Sequence, residues 1–208
     1  MRIVLSGPDG TGKSTIVEGL RRHFGGAGKV QVTWRRFGFV LTRALNLAGK
    51  IMGLSYYEKT PFGSIGYHRY RGAFAYFYIV VSFVDCLLII IPKWWVRDRF
   101  NRANTQIVDR YLIDIVADLI LSTANPRAVL WFFNGILKHH VQNENCILLA
   151  CAPRIVMERR PDIAYDKSYF QKVRNYVLLR RIYGITEVTT EKATPDASIE
   201  KVVSICGL

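Results

Sequence analysis

The chain has 208 residues and a mass of 23.8 kDa, a length that suits one compact domain with a sizeable buried core. Half of the residues are hydrophobic and 22% are charged, which excludes a disordered chain and a coiled coil. Lysine and arginine outnumber aspartate and glutamate by 29 to 16, and the net charge of +13 predicts anionic partners. Phosphorylated small molecules, nucleic acid and an acidic membrane surface would all satisfy that charge.

The four cysteines follow no metal-binding spacing. They are Cys86, Cys146, Cys151 and Cys206, with no C-x-x-C pair among them. We therefore expect buried, reduced thiols in a cytoplasmic protein. We also expect no secretory signal at the start, because Asp9 and Lys13 interrupt the first apolar run.

Strand-like and helix-like segments alternate along the chain. Short apolar runs predict five buried strands, at 2–5, 30–34, 105–109, 146–150 and 185–190. Helical spacing and capping residues predict helices at 14–23, about 40–47, 111–123, 126–140, 153–160, 168–183 and 195–206. This alternation indicates an α/β fold with a parallel sheet and a single domain over residues 1–208. The glycine- and tyrosine-rich residues 50–71 are predicted to form a long loop or a mobile segment.

The apolar stretch from Gly72 to Ile91 is 20 residues long, just enough to span a bilayer. Asp85 argues against a span, because a carboxylate near the membrane centre costs about 2.5–3.5 kcal/mol. We expect a buried helix instead, in the core or at a dimer interface. The basic and aromatic residues 93–100 that follow keep contact with a membrane surface open as an alternative.

The strongest motif is Gly7-Pro8-Asp9-Gly10-Thr11-Gly12-Lys13-Ser14, which fits G-x-x-x-x-G-K-[ST] between a strand and a helix. Its glycines let backbone N–H groups surround phosphate oxygens, Lys13 can bridge two phosphates, and the Ser14 hydroxyl can bind Mg²⁺. Asp9 is unusual in such a loop. Its carboxylate predicts a hydrogen bond to a substrate hydroxyl, with an Asx turn inside the loop as the alternative.

Three further groups of charged residues stand next to predicted strands. Asp109 ends a strand, where it can hold Mg²⁺, and the adjacent Arg110 can clamp a phosphate. Arg159 and Arg160 follow the short helix after the next strand and could close over ATP, with a solvated helix end as the alternative. Arg35 and Arg36, after the second predicted strand, form either a second phosphate clamp or an exposed charged pair.

These residues resemble the thymidylate kinase family of P-loop nucleoside monophosphate kinases. The loop with its internal Asp9, the D-R-Y sequence at 109–111 and the arginines at 159–160 are similar to that family's motifs. The resemblance implies a P-loop NTPase three-layer sandwich, with a five-stranded parallel sheet in the order 2-3-1-4-5. It also implies a lid at about 159–167, ATP and Mg²⁺ as cofactors, and a homodimer packed through long apolar helices.

The same resemblance implies roles for individual residues. The residues expected to bind ATP are Gly7, Gly10, Thr11, Gly12, Lys13, Ser14 and Thr15, with Ser14 and Asp109 at the metal. The residues expected to contact the acceptor are Asp9, Arg35, Arg36, Arg110, Tyr111 and Asp114. The residues expected to be catalytic are Lys13, Arg110, Arg159 and Arg160.

The likeness breaks down where the family recognises its acceptor. Residues 33–38 read Thr-Trp-Arg-Arg-Phe-Gly instead of T-R-E-P-G-G, and residues 76–88 hold no counterpart of the thymine-contacting Phe and Arg. Where the family has S-x-x-A-Y, this chain has Asp114 and Asp118. Four residues apart on one helix face, these carboxylates are expected to form an acidic rim to the acceptor pocket.

Three functions fit the sequence. The first is a nucleoside monophosphate kinase, with dTMP as the leading acceptor. The second is a divergent relative that phosphorylates another small hydroxyl or phosphate acceptor, such as a cell-envelope saccharide. The third is a non-kinase P-loop nucleotide-binding module that docks on a membrane or nucleic acid; the lack of an N-K-x-D sequence argues against a GTPase switch.

Overall fold

The computed structural model of the protein describes residues 1–25, 30–34, 41–99, 105–191 and 194–207. Within these residues the strands are β1 Arg2–Ser6, β2 Val30–Trp34, β3 Ser55–Thr60, β4 Gly63–His68, β5 Thr105–Asp109, β6 Asn145–Ala150 and β7 Thr186–Thr189. The helices are α1 Lys13–His23, α2 Leu41–Ile51, α3 Gly72–Asp85, α4 Ile91–Arg99, α5 Leu112–Thr123, α6 Pro126–Asn143, α7 Pro153–Arg159, α8 Tyr169–Tyr183 and α9 Pro195–Ile205. A π-helical segment, Cys86–Ile90, joins α3 to α4, and a 3₁₀ turn, Pro161–Tyr165, follows α7.

The central sheet is parallel and has the order β2-β5-β1-β6-β7. Counted over these five strands, this is the predicted order 2-3-1-4-5. Helices cover both faces. Ile3 and Leu5 are fully buried on the side of α1 and α9, whereas Val4 is fully buried on the side of α3, α5 and α6. Alternate residues of one strand thus enter two cores, which is why the strand is an unbroken apolar run. The predicted three-layer α/β sandwich is confirmed.

The prediction of a long loop over 50–71 is wrong. Most of it forms an antiparallel hairpin, β3–β4, in which Ser55 pairs with His68 and Thr60 with Gly63. The rings of Tyr56 and Tyr67 stack across the two strands at 5.2 Å. Tyrosine is a good strand former, and such cross-strand aromatic pairs stabilise hairpins, but the three glycines of the segment weaken that signal.

The apolar stretch from Gly72 to Ile91 is helical, as predicted, and is buried on one side. Ala75, Tyr78 and Ile79 pack into the core. The opposite side carries exposed large side chains at a helical spacing. We call these the outer stripe: Tyr76, Phe77, Val80, Leu87, Leu88, Trp95 and Val96. Among the described residues, no helix has both the length and the apolar content needed to cross a bilayer.

Asp85 lies at the end of α3 and is fully buried. Its carboxylate accepts hydrogen bonds from the backbone N–H groups of Leu41 (3.2 Å) and Thr42 (2.9 Å), at the start of α2. A carboxylate from a neighbouring helix therefore caps α2, where unpaired N–H groups and the helix dipole favour negative charge. This charge inside the apolar stretch holds two helices together.

Candidate active site

The glycine-rich loop between β1 and α1 lies at the carboxyl end of the sheet. Gly10 has a φ of +82°, and a Cβ there would lie 2.4 Å from Cγ1 of Val156. A Cβ on Gly7 would lie 2.5 Å from the carbonyl oxygen of Leu149. Side chains are excluded at both positions, so the loop backbone packs directly on β6 and α7. The loop runs into the N-terminus of α1, where the helix dipole favours an anion.

Lys13 folds over this loop. Its ammonium group donates hydrogen bonds to the carbonyl oxygens of Gly7 (2.6 Å) and Pro8 (2.7 Å), and the side chain is buried. Burial lowers the pKa of Lys13, and the nearby positive charge of Arg110 adds to the effect. Ser14 is exposed at the start of α1, as is the following residue of the motif. Its hydroxyl is therefore accessible to a ligand.

Thr11 and Thr15 differ in their surroundings. Thr11 is buried, and its hydroxyl donates to the carbonyl oxygen of Pro8 at 2.9 Å. Its own carbonyl oxygen accepts from the hydroxyl of Thr190 at 3.0 Å, which ties the loop to the end of β7. Thr15 is exposed on α1. The side chain of Thr11 thus shapes the loop, and the predicted contact of this residue with ATP stays a prediction.

Asp109 ends β5 next to this loop, since it pairs with Leu5 of the adjacent strand. Burial raises the pKa of its carboxyl group, and the charges of Lys13 and Arg110 oppose the rise. One carboxylate oxygen, Oδ1, is buried and has no hydrogen-bond partner among the described residues. Mg²⁺ prefers such oxygen ligands, so Asp109 and the accessible hydroxyl of Ser14 have the right chemistry to hold this ion.

Arg110 and Asp9 form an ion pair across the mouth of the loop. Arg110 has a left-handed backbone, with a φ of +66°, and its N–H donates to the carbonyl oxygen of Leu5 at 3.0 Å. Burial alone would raise the pKa of Asp9, but the charges of Arg110, Lys13 and Lys172 hold it below its usual value. Asp9 is therefore a carboxylate, and it holds the guanidinium in place.

Asp114 lies beneath the loop, which corrects the expectation of an acidic rim at this residue. It is 4% exposed, and its carboxylate accepts hydrogen bonds from the Ser6 hydroxyl (2.7 Å), the Tyr176 hydroxyl (2.7 Å) and the Tyr111 N–H (3.0 Å). A longer bond comes from the Gly7 N–H at 3.3 Å. With four donors on two oxygens, Asp114 positions the loop and the start of α5. The sequence analysis missed Tyr176 because only the fold brings it here.

Tyr111 and Asp118 lie on either side of Asp114. The ring of Tyr111 is buried and packs against that of His140, with 4.3 Å between centroids, so it points into the core. Asp118 is half-buried, one turn further along α5. Burial raises its pKa to about 6, while the positive charge of Lys172 opposes the shift. Asp118 is thus the residue of the predicted acidic pair that titrates near neutral pH.

The two arginines of the predicted lid point in different directions. Arg159 turns inward, where its guanidinium donates to the carbonyl oxygen of Thr190 at 3.1 Å. Arg160 is 54% exposed and forms a bidentate pair with Asp162, at 2.7 and 2.8 Å. Below them, Val156 and Ile163 lie against Gly10 of the loop. The segment that was predicted to be a lid therefore already packs on the phosphate-loop motif.

The predicted site residues thus lie in different surroundings. The structure brings the loop, Lys13, Asp9, Asp109 and Arg110 together at the carboxyl ends of β1 and β5. Arg35 and Arg36 lie outside the described residues, so their predicted contact with the acceptor stays a prediction.

Comparison with known proteins identifies the fold. No protein-family model matches the sequence, and no curated protein matches it. Among solved structures, thymidylate kinase from Candida albicans is 12% identical, with 99% of this chain and 90% of that chain covered and a TM-score of 0.58. Thymidylate kinase from Ehrlichia chaffeensis is 15% identical, with 99% and 98% covered and a TM-score of 0.51.

A third similar structure is that of the YorR protein from Bacillus subtilis, in complex with phosphorylated GDP. It is 14% identical, with 100% of this chain and 96% of that chain covered and a TM-score of 0.54. These matches span the whole chain at low identity. The chain therefore has a thymidylate kinase-like fold.

Proposed function

We propose that this protein is a phosphotransferase that uses ATP and Mg²⁺ to phosphorylate a nucleoside monophosphate in the cytoplasm, with dTMP as the first candidate acceptor. The observation that carries the proposal is the grouping of Lys13, Asp9, Arg110 and Asp109 around one glycine loop. Phosphoryl transfer requires chiefly positioning and positive charge, and this grouping supplies both.

Lys13 and the loop amides would bind the phosphates of ATP. The ammonium group already reaches two loop carbonyl oxygens, so it can exchange them for phosphate oxygens without a large movement of the chain. Asp109 and Ser14 would hold Mg²⁺, through the accessible hydroxyl and the carboxylate oxygen that has no hydrogen-bond partner in the described part of the chain. When bound, that ion neutralises charge on the phosphates.

Arg110 would clamp the phosphate of the acceptor. Its guanidinium can form two parallel hydrogen bonds to phosphate, and the ion pair with Asp9 fixes its direction. Asp9 is 46% exposed, so it can also accept a hydrogen bond from an acceptor hydroxyl. Of the two predicted lid arginines, Arg160 is the better candidate to approach the transferred group, because its pair with Asp162 is exposed to solvent, whereas Arg159 turns inward to the carbonyl oxygen of Thr190.

A divergent kinase of another acceptor is the second candidate. Asp118 favours it, because this half-buried carboxylate stands where the thymidylate kinase motif has tyrosine. An acidic group with a pKa of about 6 suits an acceptor that offers hydroxyl or amino donors. The non-kinase alternative rests on the net charge of +13 and on the outer stripe, which could both face a membrane.

We further propose that the outer stripe pairs two copies of the chain into a homodimer. Phe77 is 55% exposed and Leu88 is 70% exposed. Large apolar side chains that are exposed together on one side of a helix are seldom left open on a monomer.

The test of the enzyme proposal is an ADP-release screen across nucleoside monophosphates, nucleosides and sugars. Lys13→Ala should lower kcat/KM by at least about 100-fold with every acceptor, because positioned charges in phosphoryl transfer are worth that much. Lys201→Ala, which removes an exposed lysine of α9, is the matched control and should retain full activity. A Lys13→Ala enzyme that turns over near the wild-type rate would exclude the kinase proposal.

A further inference from the structure

The β3–β4 hairpin closes a cavity that is not part of the phosphate-loop site. This cavity has a volume of ≈ 310 Å³ and lies between the hairpin, the end of α5 and the start of α8. Its walls carry five basic side chains: His68, Arg69, Arg71, Lys167 and Lys172. We call it the hairpin pocket. Its volume is within the range of small-molecule sites.

The charges of the hairpin pocket are only partly balanced. Lys167 pairs with Glu58 at 2.8 Å, and Lys172 pairs with Asp166 at 2.8 Å. Within the described part of the chain, Arg69 and Arg71 have no carboxylate partner. Arg69 lies over the ring of Tyr56, 5.4 Å from its centre, whereas the exposed Arg71 contacts no ring or carboxylate of the described residues. A pocket with this excess of positive charge favours an anion over a neutral heterocycle.

Two features connect the hairpin pocket to the phosphate-loop site: the position of Lys172 and a hydrogen bond from the hairpin. Lys172 lines the pocket, and its charge also acts on Asp9 of the loop and on Asp118 of α5. The hairpin holds the segment that packs on the loop, because the Tyr67 hydroxyl accepts from the Lys167 N–H at 3.1 Å. Asp118 and the pocket-lining Ser122 are four residues apart on α5, so the pocket begins about 6 Å along this helix from Asp118.

We propose that the hairpin pocket binds a second anionic group of the acceptor, a phosphate or carboxylate separate from the phosphate that Arg110 clamps. This rests on the proposed kinase function and narrows its acceptor to a molecule with two anionic groups, such as a nucleoside bisphosphate or a sugar bisphosphate. The hairpin then acts as a specificity element that plain nucleoside monophosphates do not use.

The kinetic test compares matched acceptors that differ by one phosphate, such as a nucleoside 5′-monophosphate and its 3′,5′-bisphosphate. For the wild type, we expect KM to be at least about tenfold lower for the bisphosphate, as one charge-assisted pair predicts. Arg71→Gln should remove this preference and leave KM for the monophosphate unchanged. Arg71→Lys should restore part of it. Arg181→Gln, an exposed arginine at the far end of α8, should retain it fully.

A binding test separates this proposal from the kinase function. Inorganic pyrophosphate is titrated by calorimetry into Lys13→Ala protein, with and without Arg71→Gln, after thermal unfolding has shown that both are folded. We expect affinity to fall at least about fivefold with Arg71→Gln. Equal affinities would overturn the pocket proposal even if ADP is released. Arg71-dependent binding without any preference for bisphosphate acceptors would overturn the assignment to the acceptor.

A further outcome is that pyrophosphate binding depends on Arg71 while no tested acceptor leads to ADP release. In that case the kinase proposal fails, and with it the proposal that the pocket binds the acceptor. The anion site itself would then stand as a property of the chain.

Discussion

Arg110 carries a positive charge that the proposed reaction needs. Its backbone has a left-handed conformation that residues other than glycine disfavour. A left-handed backbone costs a residue other than glycine about 1–2 kcal/mol, and Arg110 has a φ of +66°. The ion pair with Asp9 and the N–H bond to Leu5 hold it there. The fold thus sustains local strain at a residue that we place at the acceptor phosphate.

Two substitutions separate the charge of Arg110 from its strain. Arg110→Ala and Arg110→Gly both remove the guanidinium, so each should lower kcat/KM for a monophosphate acceptor at least about tenfold. Only glycine relieves the backbone strain, so Arg110→Gly should be more stable than Arg110→Ala by about 1 kcal/mol. Steady-state kinetics and denaturant unfolding measure the two effects. Unchanged kcat/KM in both variants would remove Arg110 from the acceptor site.

Asp118 predicts a pH dependence of stability. Its pKa in the folded protein is about 6, above the value of an exposed aspartate near 3.9, because burial disfavours the charged form. Between about pH 4 and pH 6 the native state binds this proton more tightly than the unfolded state does. The contribution of Asp118 to the free energy of unfolding is therefore largest below about pH 4. It is then lost as the pH rises toward about 6.

Asp118→Asn should therefore gain free energy of unfolding relative to the wild type as the pH rises from 4 to 6, with no further gain above pH 7. The difference isolates Asp118 from the other titrating groups, apart from its coupling to Lys172, Asp114, Arg110 and Asp9. Urea unfolding of both proteins at several pH values is the measurement. A difference that does not change with pH would show that the Asp118 carboxylate titrates as if exposed.

Among the elements, α2 depends on a residue far along the chain. Asp85→Ala removes the carboxylate that caps its first N–H groups, and the N–H of the buried Thr42 loses this hydrogen bond. We expect a loss of about 1–3 kcal/mol in the free energy of unfolding, with kinase activity retained because Asp85 is outside the proposed site. Glu200→Ala, an exposed glutamate of α9, should change stability by less than about 0.5 kcal/mol. Equal stabilities of the two variants would contradict the capping role.

The elements also show what the sequence could reveal. Apolar runs located the five parallel strands, because strands buried on both faces are continuous apolar runs in the sequence. Asn125 before Pro126 is a typical N-cap pattern, and the Asn125 side chain accepts from the N–H of Ala128 at 3.1 Å. The hairpin was missed because its stability comes from cross-strand tyrosines and from its contact with the segment after α7. Both contacts arise only after the chain has folded.

The same distinction applies to the candidate site. The loop and the D-R-Y sequence are local, so their spacing indicated them directly. Tyr176 and Lys172 come from α8, more than 60 residues after the D-R-Y sequence, and no local pattern marks them. Asp114 was located correctly in sequence but given the wrong surroundings, because hydrogen bonds to Ser6 and Tyr176 draw it beneath the loop.

At the scale of the whole molecule, a net charge of +13 opposes the proposed homodimer. Two copies repel each other at low salt, whereas the outer stripe gains free energy by leaving water. Added salt screens the repulsion and barely affects the burial of apolar surface. The homodimer should therefore tighten as NaCl rises from about 50 to 500 mM. Binding to nucleic acid or to an anionic membrane should weaken over that range, because it depends on attraction between opposite charges.

We expect light scattering coupled to gel filtration to show a dimer in 500 mM NaCl, and Phe77→Asp with Leu88→Asp to make it a monomer. The two carboxylates would lie in the proposed interface, which buries about 800 Å² on each copy if it is of standard size. Ile182→Asp places the same charge on an exposed apolar residue of α8 and should leave the dimer intact. A wild-type monomer at every salt concentration would rule out the homodimer. If that monomer also sediments with anionic vesicles at 50 mM NaCl, and Phe77→Asp with Leu88→Asp does not, the outer stripe is a membrane-docking surface instead.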